Sequence, residues 1–161
     1  MHRTMLAITM AALSLAGCRS PVHSGSVETI DVFGTPLVLQ NYREVDQLGY
    51  FLQVGTDRRT YKSNESPVVT VRLTLPGRRV ESPANYRVRM TLVYAGGDTN
   101  RSEKTGAESA LQYFPEAQAY WFHESIEKRA DSYRFGRYVL TLEIESVEGL
   151  RVDDISLVFT N

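Results

Sequence analysis

This sequence contains very little cysteine, tryptophan or histidine. One Cys, one Trp and three His occur in 161 residues. A single cysteine excludes an intrachain disulfide framework and a cysteine-rich metal cluster. An excess of one charge is also missing, because 18 Lys and Arg residues face 19 Asp and Glu residues and leave a formal net charge of -1. The composition therefore gives no sign of a nucleic-acid-binding surface, and we predict no nucleic-acid partner.

Long hydrophobic runs are also missing, apart from one at the N-terminus. The stretch from Met5 to Ala16 is apolar except for Thr9 and Ser14, and Arg3 precedes it. This run is too short to span a bilayer as a permanent helix, whereas a basic residue followed by an apolar run of this length is typical of a secretory signal peptide. We therefore predict that residues 1–17 are a signal peptide.

The apolar run ends in the motif Leu15-Ala16-Gly17-Cys18. This motif resembles the lipobox of bacterial lipoproteins. The resemblance implies cleavage between Gly17 and Cys18, attachment of a diacylglycerol to the Cys18 sulfur, and acylation of the new amino group by a fatty acid such as palmitate. Each buried CH₂ contributes roughly 0.8 kcal/mol, so two or three acyl chains would hold the protein firmly at a membrane. Cys18 is thus the predicted lipid-attachment site.

The residues after Cys18 bear on the location and reach of the anchored protein. In enterobacterial lipoproteins an Asp directly after the acylated Cys favours retention at the inner membrane, and this chain has Arg19 there. We therefore expect a cell-envelope protein at the outer membrane, facing the periplasm. Residues 18–29 are rich in Ser and other small or polar residues, with Pro21 and Gly25. They are predicted to be the lipidated N-terminus and a flexible tether.

Most of the remaining chain alternates apolar and polar residues with a period of two. The clearest segments are residues 69–75, 86–94, 138–145 and 155–160, with weaker ones at 50–54 and 37–39. Such alternation predicts strands with one buried and one wet face, and the last two strands form a hairpin. We predict that residues 30–161 form an all-β, antiparallel immunoglobulin-like β-sandwich of about seven strands; the alternative is a small barrel or jelly roll. The best helical candidate is residues 106–114, which could instead be an irregular crossover.

One stretch of this region resembles a known domain family. Residues 50–65 read YFLQVGTDRRTYKSNE, with Thr56-Asp57-Arg58 and Tyr61-Lys62 at its centre. This pattern is similar to the start of macroglobulin-type, immunoglobulin-like domains, although Ser63-Asn64 stand where Pro-Gly is usual. The resemblance implies a sandwich edge and a turn. It implies no protease trapping, because the reactive thioester of complete macroglobulins needs a Cys and none follows Cys18.

The sequence offers no convincing catalytic or metal-binding constellation. His123 has no Gly-x-Ser-x-Gly nucleophile motif to accompany it. Glu143 and Glu145 have the spacing of a catalytic carboxylate pair, as in glycosidases. They are also the polar half of an alternating strand. Asp153-Asp154 are typical of a solvated turn and lack the spacing of a calcium loop. We predict no catalytic residue, no metal site and no cofactor.

The densest unusual feature is an aromatic cluster within ten residues. Neighbouring side chains on a strand point to opposite faces, so three consecutive rings cannot all face inward, and at least one should reach an outer face or an edge. Exposed Tyr and Trp are common anchors in binding surfaces. The alternative is that the tryptophan is a core residue of the sandwich and that the loop at 97–118 covers its neighbours. The candidate binding surface consists of Tyr113, Phe114, Tyr120, Trp121 and Phe122.

These features favour a membrane-anchored, non-enzymatic binding protein. The first hypothesis is a protein-binding or assembly module whose strand edges and aromatic region engage a protein partner in the envelope. The second is an envelope lipoprotein that binds a glycan or small ligand through the surface around Tyr120 and Trp121. The third is a small cell-wall hydrolase that uses carboxylates. A concave site lined by rings and a few polar groups would favour the second hypothesis.

Substitution of Cys18 tests the predicted lipid anchor. Cys18→Ser removes the thiol that forms the thioether, so the protein should leave the membrane fraction. Fractionation followed by a carbonate wash measures this, with Ser20→Ala as a nearby control that stays membrane-bound. Retention of Cys18→Ser on washed membranes would contradict the anchor.

Overall fold

A computed structural model of the chain describes residues 26–95, 104–126 and 132–161. The predicted signal peptide, Cys18 and residues 19–25 lie outside the described residues. Within that part of the chain no helix is long and apolar enough to cross a membrane. The described residues form eleven strands: β1 (Ser26–Val32), β2 (Thr35–Gln47), β3 (Tyr50–Thr56), β4 (Thr60–Lys62), β5 (Val68–Thr74), β6 (Arg87–Tyr94), β7 (Lys104–Ala110), β8 (Gln112–Phe114), β9 (Ala119–Ser125), β10 (Gly136–Ile144) and β11 (Arg151–Thr160).

The all-β sandwich predicted from the sequence is confirmed. One sheet has six strands in the order β1-β2-β3-β5-β9-β8, and the other has five in the order β4-β11-β10-β6-β7. All neighbouring strands are antiparallel except β4 and β11, which are parallel. The predicted final hairpin is β10 and β11. The strand number of about seven was too low, mainly because short and edge strands carry little alternation.

The core between the sheets follows from the period-two pattern. Val88, Met90 and Leu92 of β6 are buried, whereas Arg87 and Arg89 on the opposite face are exposed. The same rule holds in β10, where every second residue from Tyr138 to Ile144 is buried. Each fully buried aliphatic or aromatic side chain stabilises the fold by roughly 1.5–3 kcal/mol.

Two local expectations need correction. Residues 106–114 are neither a helix nor an irregular crossover: they belong to β7 and β8, with Leu111 between the two sheets. Pairing of β7 with β6 along its whole length overrides the helical propensity of Ala, Glu and Leu there. The first strand begins at Ser26, so residues 26–29, which were assigned to the tether, are part of a sheet.

The stretch that resembles macroglobulin-type domains forms a corner between the sheets. The chain leaves the six-stranded sheet after β3, adds β4 to the five-stranded sheet, and returns as β5. Asp57 closes this corner, because its Oδ1 accepts hydrogen bonds from the Tyr61 hydroxyl at 2.6 Å and the Val68 amide at 3.2 Å. Burial alone would raise the pKa of Asp57, but these hydrogen bonds and the contact with Arg58 hold it below its usual value.

The β1–β2 hairpin forms one end of the six-stranded sheet and folds back over the outer face of the other strands. β2 pairs with β3 through Gln47 to Arg43, shifts register between Arg43 and Gln40 with Asn41 at φ 51°, and continues as the partner of β1. A bulge of this kind bends a strand sharply. The bend brings Leu39 down onto Gly55 of β3, where a built Cβ would meet the Leu39 Cβ at 2.6 Å.

The hairpin encloses a second hydrophobic cluster outside the main core. Its buried members come from β1, β2 and β9, with partly buried neighbours from the hairpin, from β8 and from the β8–β9 connection. The sheet between the two clusters is therefore covered on both faces. The buried members are Ile30, Leu39, Tyr42, Ala119 and Trp121.

Gly55→Ala tests this packing. The added methyl group would collide with Leu39 and with the Gln40 carbonyl oxygen, which lies 3.2 Å from the built Cβ. We expect a loss of about 1–3 kcal/mol of unfolding free energy in urea and a red shift of the tryptophan emission as the hairpin lifts. Gly77→Ala is the matched control: its φ of +71° strains the backbone, but a Cβ there meets nothing within 4 Å, so the emission should not move. An unchanged stability and emission for Gly55→Ala would contradict the packing.

Candidate functional site

Strand β9 places its three consecutive rings on two different faces. Tyr120 and Phe122 belong to the main core, at 1% and 5% exposure. Trp121 points the other way, to the outer face of the sheet, where it is only 6% exposed because it belongs to the cluster under the hairpin. Strand alternation thus does send one bulky ring to the outer face, as expected, but the hairpin covers it.

Tyr113 and Tyr120 hold the connection between β5 and β6. The Tyr113 hydroxyl donates to the Val80 carbonyl at 3.4 Å, and the Tyr120 hydroxyl accepts the Ala84 amide at 3.1 Å. Their ring centroids are 4.8 Å apart. Both residues therefore pack against the main core and fix the β5–β6 connection to it. The Tyr120 ring is buried and presents no surface to a ligand.

Phe114 and Trp121 instead meet the tip of the hairpin. The Phe33 ring centroid lies 4.7 Å from that of Phe114 and 6.1 Å from that of Trp121, in tilted arrangements. Such offset aromatic pairs contribute about 0.5–1.5 kcal/mol each beyond the area they bury. The three rings, from β8, β9 and the β1–β2 turn, form one wall.

A cleft of about 260 Å³ opens beside this aromatic wall. Apolar and polar atoms both line it, and the polar residues come from β8 and β9. We call it the aromatic cleft. Its ring-bearing and polar lining residues are Phe33, Phe114, Trp121, Phe122, Gln112, His123 and Glu124.

Phe33 occupies an unusual backbone conformation for a bulky residue. Its φ is 53° and that of Gly34 is 80°, the signs required at both central positions of a tight hairpin turn. Asn, Asp or Gly is usual at the first of these positions, and the left-handed conformation costs other residues roughly 1–2 kcal/mol. Phe33 nevertheless stays half exposed, with its ring over Phe114 and Trp121. Leu48 has the same conformation, with φ 56° before Gly49 in the β2–β3 turn, so the turn conformation alone does not mark a site.

The indole N–H of Trp121 is buried and has no hydrogen-bond partner among the described residues. One side of the ring is covered by Arg72, whose guanidinium carbon lies 5.2 Å from the ring centroid. Arg72 donates to Gln53 at 3.3 Å, and Gln53 donates to the Tyr42 hydroxyl at 2.7 Å. A buried donor without an acceptor costs about 1–3 kcal/mol, and this nitrogen atom lies out of reach of solvent.

His123 lies at the rim of the aromatic cleft. Its Nδ1 is 2.7 Å from the Thr70 hydroxyl, which fixes the ring orientation. Its Nε2 makes no hydrogen bond within the described ranges and belongs to an exposed side chain. His123 therefore offers a polar atom that a ligand in the cleft could contact.

The other candidate chemical groups lie on a different surface. Glu145 accepts from Arg89 at 2.6 Å, and Glu143 lies 3.9 Å from the same guanidinium, both on the exposed face of the five-stranded sheet. Asp153 is bound to Arg151 at 2.6 Å. In the described part of the chain no group of three or more His, Cys, Asp or Glu side chains is placed to hold a metal ion.

Sequence reasoning missed Phe33, Gln112 and His123 as members of the cleft. The one available signal was Phe33-Gly34 in a turn, where an Asn before the Gly would be ordinary. Gln112 and His123 carried no signal, since only the long-range docking of the hairpin brings the cleft together. No family model, curated protein or solved structure matches this chain.

The emission of the single tryptophan tests the burial of Trp121. Since the side chain is 6% exposed, the folded full-length chain should emit at short wavelength and resist quenching by acrylamide. The same chain in guanidinium is the control and should emit at long wavelength with strong quenching. Equal quenching in both states would contradict the covered position.

Proposed function

We propose that this chain is a non-enzymatic, lipid-anchored lipoprotein of the bacterial envelope that binds a small ligand in the aromatic cleft. One observation carries the proposal: a half-exposed ring, that of Phe33, packs on Phe114 and Trp121 beside a concave surface that also presents polar side chains. Ligand sites are concave, mostly apolar and lined by a few well-placed polar groups. The second of the sequence hypotheses therefore becomes the favoured one.

The membrane part of the proposal depends on the N-terminal sequence. The basic residue, the apolar run and Leu15-Ala16-Gly17-Cys18 support export and acylation at Cys18. The first strand begins at Ser26, so only residues 19–25 separate the acylated cysteine from the sheet. A tether this short keeps the domain close to its membrane, which we place at the outer membrane, facing the periplasm.

The immunoglobulin-like, macroglobulin-type assignment is part of the same proposal. It is supported by the order of strand, turn and strand in residues 50–65 and by the corner that Asp57 and Tyr61 close.

A protein partner remains the second candidate, because the hairpin carries an exposed apolar face. Val38 lies opposite Thr29, two residues from Val27 on the same face, and Val27 and Val38 are 52% and 51% exposed. Addition of a partner strand has less support, since β8 and β4, at two of the sheet edges, are three residues long.

Native mass spectrometry of protein extracted gently from its own membranes tests the cleft. Wild-type protein should carry a bound small molecule. Phe33→Asn should lose it, because Asn suits the left-handed turn but removes the ring from the wall. Leu48→Asn is the matched control, since Leu48 has φ 56° before Gly49 in the β2–β3 turn and is exposed away from the cleft.

Equal occupancy in Phe33→Asn and wild type would overturn the cleft as the binding site. Loss of the small molecule from Leu48→Asn as well would do the same, because the effect would then belong to the turn conformation.

A further inference from the structure

We infer that the ligand of the aromatic cleft is a short peptide that adds as an extended strand to an unpaired edge of β9. The inference rests on the proposed function, which makes the cleft a binding site, and it names the class of ligand. The position of the cleft, the pairing of β9 and the distribution of charge carry it.

The cleft runs along the edge of a strand. Phe122, His123 and Glu124 are consecutive residues of β9, and all three line it. Side chains of consecutive strand residues point alternately to the two faces of a sheet, so a space that touches all three lies beside the strand and not above one face. The cleft is therefore a gap beside β9, with a volume of about 260 Å³.

Strand β9 is unpaired on this side beyond Trp121. Its other side pairs with β5 from Ala119 to Ser125, whereas β8 covers only Ala119 to Trp121. Within the described ranges no strand pairs with Phe122 to Ser125 on the β8 side, and we call these four residues the open edge. The short length of β8, which makes β8 itself a poor edge for a partner, is what exposes β9.

The course of the chain creates this gap. Before β8 the chain passes between the sheets at Leu111, whose amide donates to the Tyr86 carbonyl at 2.9 Å. Ala110 already pairs with Arg87 in the other sheet. The place beside His123 that a longer β8 would occupy is therefore part of the cleft.

The backbone of the open edge can bind an extended chain. In an antiparallel ladder each residue directs its N–H and its C=O to the same side, and successive residues alternate sides. Two residues of the open edge therefore present both groups to the gap, where a peptide strand can bond them. The open edge contains no proline, lysine or register shift, which commonly block strand addition. An added strand must end or turn away where Gln112 of β8 pairs with β9, which suits a short peptide.

The two faces of an added strand would meet different surroundings. His123 is on the outer face, where the half-exposed Phe33 ring lies over Phe114, so an apolar side chain is favoured there. Glu124 is exposed and points to the opposite face, so the next peptide side chain meets a carboxylate. Glu124 is also the one formally charged side chain among the described residues that line the cleft. Charge complementarity therefore favours a peptide that alternates apolar and basic residues.

Calorimetric titration of the full-length mature protein in nonionic detergent micelles tests the inference. The probe is the blocked pentapeptide Val-Lys-Val-Lys-Val, because β-branched valine suits a strand. We expect saturable binding, and several-fold weaker binding of the matched peptide Val-Glu-Val-Glu-Val at low ionic strength. Phe33→Asn should weaken binding of the lysine peptide several-fold, because it removes the apolar contact on the outer face, while Leu48→Asn leaves binding unchanged.

Methylation of the peptide backbone separates strand addition from contact by side chains alone. N-methylation of the valine amides, or of the lysine amides, removes alternate backbone donors and keeps every side chain. A strand bound along one edge uses only one of these two sets. One methylated peptide should therefore lose binding and the other should keep most of it. Equal affinities of the two methylated peptides would overturn strand addition.

Glu124→Gln separates the charge argument from the shape of the cleft. The amide keeps the size of the side chain and removes its charge, so the preference for the lysine peptide over the glutamate peptide should shrink. An unchanged preference in Glu124→Gln would overturn the role of charge, and so would equal affinity of the wild-type protein for the two peptides.

Failure of the lysine peptide to bind would overturn the peptide assignment. If wild-type protein still carried a small molecule that Phe33→Asn loses, the proposed function would stand with a different ligand. A dimer of the wild-type protein in sedimentation, together with no peptide binding, would assign the open edge to a second copy of this chain and would also overturn the inference.

Discussion

The contact of Leu39 with Gly55 is the constraint on which the rest of the structure depends. A glycine at that point of β3 lets the bent hairpin approach the outer face of the sheet closely, since a Cβ on Gly55 would lie 2.6 Å from the Leu39 Cβ. With the hairpin in place, Trp121 is covered and Phe33 reaches Phe114. Without the hairpin, the Trp121 side chain would face water and the aromatic cleft would lose Phe33 from its wall.

The hairpin also explains why the aromatic run at residues 120–122 is buried although its side chains point to both faces of the sheet. A strand with one wet face alternates, whereas a strand buried on both faces reads as a continuous hydrophobic run. Residues 119–122 of β9 are all buried, because the main core covers one face and the hairpin covers the other. A strand covered on both faces needs consecutive apolar residues, and Ala-Tyr-Trp-Phe supplies them.

Much of the fold could be predicted because alternation is a local signal. The alternation of apolar and polar residues predicted strands β5, β6, β10 and β11, and it also predicted the final hairpin. Strands β7 and β8 were not predicted, because β8 is only three residues long and the residues of this region also suit a helix. Alternation also says nothing about what covers an outer face, so the docking of residues 26–47 and the cleft that it creates could not be foreseen.

Two residues of the aromatic cleft carry a local cost in stability. Phe33 keeps a left-handed backbone and Trp121 keeps a donor without an acceptor, and each carries a cost in stability. Leu48 and Asp154 also have left-handed backbones, so strain alone does not locate a site. The functional proposal rests on the cleft because it is concave and carries the half-exposed ring of Phe33, whereas Arg89, Glu143 and Glu145 of the opposite sheet are paired with one another.

Nuclear Overhauser contacts of the single indole test the central claim most directly. The claim is that the hairpin packs on Trp121 across the outer face of the sheet. It predicts contacts from the indole protons to methyl groups of Ile30 or Leu39 and to the ring of Phe33. An indole with contacts only to β5, β8 and β9, and with rapid hydrogen exchange at its N–H, would contradict the account.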